Sequence, residues 1–236
     1  MPLDTKHRST APEIMDDFEM GGAILTDALD KIASINKLLG GNKVTLEGIR
    51  MLMSGNISDK IRITDVGCGN GAMLRMLSDY ARKQNLNFQL KGIDANQFTV
   101  DHARKCSFDY PEINYQCSDI FDETIEAEQC DIMLFTLTLH HFADIEIIKL
   151  LNNLRKGVFV GIIINDLERS GIAYRLFTAL SYVFRLNDMS REDGLVSILR
   201  GFKRRDLRQY EKLLGIAPGY IGWRWAFRYL WVIKTR

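Results

Sequence analysis

The chain is poor in the residues that staple or interrupt small proteins: its 236 residues include four prolines, four cysteines and four histidines. Cys68, Cys106, Cys117 and Cys130 show neither CxxC spacing nor histidines at zinc-finger intervals, so they read as reduced thiols, with no disulfide framework or structural metal. Long apolar runs are also missing. The longest, Gly157 to Ile164, is far short of the roughly 18 residues a membrane-spanning helix needs, and Met1 to Pro12 has no hydrophobic signal core. The expectation is a soluble, cytoplasmic protein with no membrane span.

Charge of one sign is scarce overall, with 31 Lys and Arg against 30 Asp and Glu, but it is unevenly spread. Residues 1–165 carry 17 basic and 23 acidic side chains, and residues 166–236 carry 14 and 7. Much of the basic excess lies in Arg200, Lys203, Arg204, Arg205 and Arg208. Such a run reads first as a solvated helix face and second as an attractor of an anionic substrate or nucleic acid. With 46% apolar and 26% charged residues, the chain is long enough for one large α/β domain.

Apolar periodicity divides the chain. Residues 12–55 read as helical, because Leu25, Ala28, Leu29, Ile32 and Ile35 recur at three- and four-residue spacing; Gly40-Gly41 is a stop and a short helix follows from about Thr45 to Met53. From Ile61 the pattern alternates. Strands are expected near 61–66, 88–93, 113–117, 131–137 and 158–164, with helices after 71 and at 97–106, 122–128 and 143–156. Repeated strand and helix units imply a parallel sheet with helices on both faces, whose ligands bind at the carboxyl ends of the strands. Helices follow at about 170–184, 194–199 and 205–214, with a loop over 187–193, and the aromatic tail 219–234 alternates as two antiparallel edge strands.

The chemistry concentrates in Asp65-Val-Gly67-Cys-Gly69-Asn-Gly71, a strand that ends in DxGxGxG and opens into a helix. Glycines there let backbone amides and a helix amino terminus approach a nucleotide-like ligand. Gly67, Gly69 and Ala72 also fit the dinucleotide pattern GxGxxG/A, with Asp94 after the second strand as a ribose ligand. Three features favour another nucleoside cofactor: Asp65 before the first glycine, a glycine at 71, and Asp119 after the third strand, placed to accept from an adenine amino group.

In these motifs the chain resembles the class I S-adenosylmethionine-dependent methyltransferases: DVGCGNG as the glycine-rich motif, Gly92-Ile-Asp94 as the ribose motif, Ser118-Asp119 as the adenine-side motif. The resemblance implies a Rossmann-like, seven-stranded, mostly parallel sheet with an antiparallel terminal strand, S-adenosylmethionine as cofactor, and cofactor contacts from Asp65, Gly67, Gly69, Gly71, Asp94, Ala95, Asp119, Ile120 and Thr136. It also implies an N-terminal helical segment over 1–55, and a methyltransferase domain over 56–236 with a helical cap insertion at about 167–204. Asn36 is expected to contact the cofactor if the N-terminal segment folds back over the sheet edge.

The stretch Asp131 to Phe142 is similar to the strand-four motif that runs into a histidine pair at the methyl-transfer cleft, which makes His140 and His141 the expected general bases. Asp166 and Tyr174 are expected on the substrate side. Shorter motifs, including Asp166 to Ser170 and Asp193-Gly194, resemble bacterial quinone- and polyketide-type small-molecule methyltransferases. The expected reaction is methyl transfer to an O or C nucleophile of a small aromatic or polyketide-like acceptor, without metal. The cap helices leave room for a homodimer. An RNA or protein methyltransferase, a nicotinamide oxidoreductase and a non-catalytic cofactor-binding protein stand as alternatives, with nucleic acid the less expected partner.

Overall fold

A computed structural model describes residues 3–54, 60–121 and 129–235. The helix expected at 122–128 lies outside the described residues. Seven strands form one sheet: β1 (Lys60–Val66), β2 (Asn87–Asp94), β3 (Ile113–Cys117), β4 (Cys130–Thr136), β5 (Val158–Leu167), β6 (Tyr220–Arg224) and β7 (Arg228–Lys234), in the order β3-β2-β1-β4-β5-β7-β6. The first five run parallel, while β7 pairs antiparallel with β5 and with β6. This is the sheet that the motif resemblance implies, with both terminal strands antiparallel to their neighbours.

Alternation on β4 explains why the sheet is buried on both sides. Met133 and Phe135 enter one apolar cluster with Ile162, Ile164 and Trp231, whereas Ile132 and Leu134 enter the other with Ile49, Leu74 and Leu90. Each fully buried side chain of this size contributes on the order of 1.5–3 kcal/mol, so the two layers fix the strand register. The second layer is covered by α2 (Gly41–Leu52), which packs on β5 and β7, and by α3 (Ala72–Gln84), which packs on β2. The first is covered by α5 (Asp144–Leu154) and α8 (Arg204–Leu214), α4 (Gln97–Cys106) lying against β2 and β3.

Above the strand ends sit α1 (Gly22–Leu38), α6 (Gly171–Val183) and α7 (Asp188–Arg200). Among the described residues no helix is long and apolar enough to cross a membrane.

The N-terminal region differs from its periodicity. Helix α1 begins at Gly22, and only Ile14–Asp16 of the stretch before it is helical, as a short 3-10 turn. That stretch is a strap: Ser9 N donates to Leu199 O at 3.0 Å, and Arg8 donates to the carbonyls of His140, Phe142 and Arg200. Periodicity cannot see it, because its partners lie on other elements. Helix α2 starts at Gly41 rather than Thr45, directly after Gly40.

The loop expected over 187–193 is instead the first half of α7. Asn187 caps that helix, its side chain accepting from Ser190 N. Gly194 is a packing site rather than a break, because a Cβ there would overlap the ring of Phe177 on α6.

Arg200 of the basic run is buried, and it donates to the carbonyls of His140 and His141 and to Asp16. Lys203, Arg205 and Arg208 likewise meet protein partners: Glu168, the Lys6 carbonyl and Glu211.

Candidate active site

A cavity of about 900 Å³ opens along the carboxyl ends of β1, β2, β4 and β5, beneath α1, α6, α7 and the strap. One end is built by a short stretch of chain. Strand β1 ends at Val66, and the turn that follows carries Gly67 at φ 66° and Gly69 at φ 52°, conformations that a side chain would strain. A Cβ on Gly69 would meet nothing nearer than Leu29 at 3.8 Å, so the backbone there forms an open cradle facing α1.

Gly69 N donates to Asp94 Oδ2 at 3.1 Å, and Asn96 N donates to Asp94 Oδ1 at 3.2 Å, so the end of β2 is tied to the turn. Asp65 lies beneath them, 2% exposed, with Oδ1 unpartnered. Burial, reinforced by the neighbouring Asp94, pushes its carboxyl up to about 8. Burial raises the Asp94 carboxyl as well, against the backbone hydrogen bonds. Ala95, Asp119 and Ile120 line the wall beyond, with Asp119 Oδ1 accepting from Phe121 N.

The other end is assembled from distant parts of the chain. A 3-10 turn over Leu139–His141 follows β4 and presents both histidines. His140 is 2% exposed; its Nδ1 is 2.6 Å from Asp166 Oδ1, and its backbone N donates to Asp166 Oδ2 at 3.1 Å. A carboxylate only accepts, so Nδ1 carries the hydrogen, and whenever the ring is in its neutral form the lone pair is on Nε2. That Nε2 is buried without a hydrogen-bond partner, 3.7 Å from Glu13 Oε1. Burial works to raise the Asp166 carboxyl, but the charge and hydrogen bonds of His140, with the Leu167 amide, outweigh it and hold the group low.

Glu13 comes from the strap. Its Oε2 accepts from Ser197 Oγ at 2.7 Å, and burial pushes its carboxyl up to about 7. Asp193 fixes the strap by accepting from the Ile14 and Met15 amides at 2.6 and 2.9 Å. His141 Nδ1 is 2.7 Å from Asp16 Oδ1. Asp16 stays well below the usual carboxylate range, because bonds from His141, the Glu13 amide and Arg200 overcome burial. Glu13, His140 and His141 each bring a ligand atom within 4.8 Å of the others, as do Asp30 of α1 and His102 and Cys106 of α4; either set has metal-ligating chemistry.

Several residues expected at the site lie off the wall. Gly71 caps α3, and a Cβ there would overlap Tyr115. Asp166 is fully buried behind His140 and reaches the cavity only through that ring. Ala173, Leu176, Phe177 and Leu180 form the stripe of α6 that faces the cavity, and Tyr174 falls outside it. Thr136 lines the wall with its hydroxyl 3.1 Å from that of Thr45. Asn36 is in the wall too, but both its polar ends are engaged: Nδ2 donates to Asn42 and Oδ1 accepts from Arg228.

Sequence reasoning missed Glu13, Asp16 and Arg228. The first two lie in a stretch without periodicity, and Arg228 is embedded in an aromatic tail that reads as sheet core.

Residues 63–158 match a family described as a methyltransferase domain. Among curated protein sequences, none matches the chain. Solved structures do. The plantazolicin methyltransferase BpumL, solved in complex with SAH, superposes with a TM-score of 0.64 at 16% identity, covering 90% of this chain and 96% of that one. Magnesium protoporphyrin IX methyltransferase (ChlM) from Synechocystis PCC 6803, with bound SAM, gives 0.57 at 13%, covering 86% and 83%. The CurJ carbon methyltransferase gives 0.59 at 13%, covering 83% and 54%. Likeness at this level of identity is likeness of fold. The matched residues carry the glycine turn and Asp65, Asp94 and Asp119, and the fold around them is that of methyltransferases of known structure.

Proposed function

We propose that the protein transfers the methyl group of S-adenosylmethionine to an oxygen or carbon nucleophile of a small aromatic or polyketide-like acceptor. The observation that carries this reading is a single cavity with the cradle and carboxylates at one end and a bare, oriented His140 Nε2 at the other.

The residues of the first end fit the cofactor. Asp65, with its unpartnered buried carboxylate oxygen, would hold the ammonium of the methionine part, Asp94 would accept from the ribose hydroxyls and Asp119 from the adenine amino group, and Ala95 and Ile120 would supply apolar wall. When bound, the cofactor supplies an electrophilic methyl on a sulfonium. The protein's share is alignment and exclusion of water, which accounts for much of the acceleration of such a displacement. The strap and α6 close the cavity over that step.

His140 takes the proton of the acceptor at Nε2, and Asp166 holds the ring in the tautomer that makes this possible. The similar solved structures bear the names of plantazolicin, magnesium protoporphyrin IX and carbon methyltransferases, so the fold serves more than one acceptor. The leucine, isoleucine and phenylalanine side chains of α1 and α6 along this cavity favour an apolar acceptor body.

The direct test is calorimetry with S-adenosylhomocysteine followed by a turnover screen of phenols, enols and β-keto acids. Binding together with methylation of one of these, lost in His140→Asn, is the expected result. Binding without transfer to any acceptor class points to a cofactor-binding protein instead.

A further inference from the structure

Among the described residues three arginines are buried, and one of them is unlike the others. Arg169 donates to Asp206 at 2.9 Å and to three backbone carbonyls. Arg200 donates to Asp16 at 2.7 Å and also to carbonyls. Arg228 is 3% exposed and lines the cavity, yet it has one hydrogen bond, from Nη1 to the neutral amide oxygen of Asn36 at 2.7 Å. Its Nε is buried with no partner. Among the described residues no carboxylate oxygen lies within 4.0 Å of it.

A buried guanidinium without a counter-charge is costly, and proteins pair such groups or leave them for a ligand to pair. The surroundings favour a ligand. Asp166 is the carboxylate whose charge reaches Arg228, but its oxygens are already engaged by the His140 ring and by the His140 and Leu167 amides. Asn36 is held by its bond to Asn42, so its Oδ1 steadies the guanidinium without neutralising it. Arg228 pairs with Leu167 across β5 and β7, one register step from Asp166, which places it beside the histidine end of the cavity. Leu167, Phe177 and Phe227 supply apolar wall nearby. Burial lowers the guanidinium to about 10, which leaves it charged at neutral pH.

We propose that Arg228, steadied by Asn36, is the anion site of the acceptor half and takes the carboxylate of an apolar acid. The assignment rests on the methyltransferase reading and narrows its acceptor class from any small aromatic or polyketide-like molecule to one carrying a free acid. A carboxylate is also present on the cofactor, so the test separates the two sources.

Trans-cinnamate and cinnamamide are titrated by calorimetry into protein saturated with S-adenosylhomocysteine, and decanoate and decanamide are titrated in parallel. At least one acid is expected to bind tenfold or more tightly than its amide. In Arg228→Gln that preference falls below twofold, while affinity for S-adenosylhomocysteine stays within threefold. Asn36→Asp supplies an internal carboxylate to the same guanidinium and is expected to erase the acid preference without removing the arginine, which keeps the idea testable if Arg228→Gln does not fold.

Equal binding of acids and amides by the wild-type protein, or a preference that survives both substitutions, overturns the assignment. So does an Arg228→Gln protein that loses affinity for S-adenosylhomocysteine but not for 5′-methylthioadenosine, which lacks the amino acid part, because the site then belongs to the cofactor. If the wild-type protein binds no S-adenosylhomocysteine at all, the failure is that of the methyltransferase reading itself.

Discussion

The two ends of the cavity are made in different ways. The end that fits the nucleoside is built by backbone: one strand, one glycine turn and the ends of two neighbouring strands, with Asp65 and Asp94 joined through the turn. The end with the histidines is built by side chains that come from almost the whole length of the chain, Glu13 meeting Ser197 and Asn36 meeting Arg228. A bound nucleoside asks for the same contacts whatever the acceptor, so local chain geometry suffices there. An acceptor of particular shape needs a surface that only tertiary packing assembles.

That contrast predicts separable losses. The largest belongs to His140→Asn, which should lower turnover by about 10²–10⁴ while the affinity for S-adenosylhomocysteine stays within threefold; near wild-type turnover would remove His140 as the base. Asp94→Ala acts on the other end. It should weaken S-adenosylhomocysteine by about 1.5–3 kcal/mol in calorimetry, and an unchanged affinity would break the proposed division. Gly194→Ala tests the packing of α6 on α7, where the added methyl meets Phe177. A loss of about 1–3 kcal/mol in urea unfolding is expected, with cofactor affinity preserved.

Asp65 gives a smaller effect with a definite sign. Its folded-state value near 8 lies above the ordinary carboxylate value of 3.8, so between those limits the folded protein holds a proton that the unfolded chain releases. Stability therefore falls as pH rises from about 4 to 8. Asp65→Asn removes that dependence and should raise the melting temperature of the ligand-free protein at pH 8 by a few degrees, at a cost in cofactor affinity. A lower melting temperature would contradict the buried, unpartnered carboxylate. Least of all should chelation matter: EDTA is expected to leave turnover within twofold. A chelator-sensitive enzyme would reassign Glu13, His140 and His141 to coordination and remove the lone pair that makes His140 a base.

What the sequence discloses follows the same division. The five parallel strands, the terminal pair and the turn at 67–71 are legible because each is a short apolar or glycine pattern whose meaning is local. Gly194 misleads because glycine marks both chain breaks and close contacts, and the ring that requires it lies on another helix. Glu13 carries no signal at all, since an extended strap has no period. Arg228 is hidden by its aromatic neighbours, and Asp166 is placed on the correct strand end but against His140 rather than the acceptor.

The strap has one further consequence. Ile14 and Met15 are made well before the carboxylate that anchors them, Asp193 on the last helix above the cavity. Closing so long a loop is entropically costly and comes late in folding. A newborn chain therefore completes the glycine-turn end of the cavity before the histidine end, because only the second waits for the strap to find its anchor.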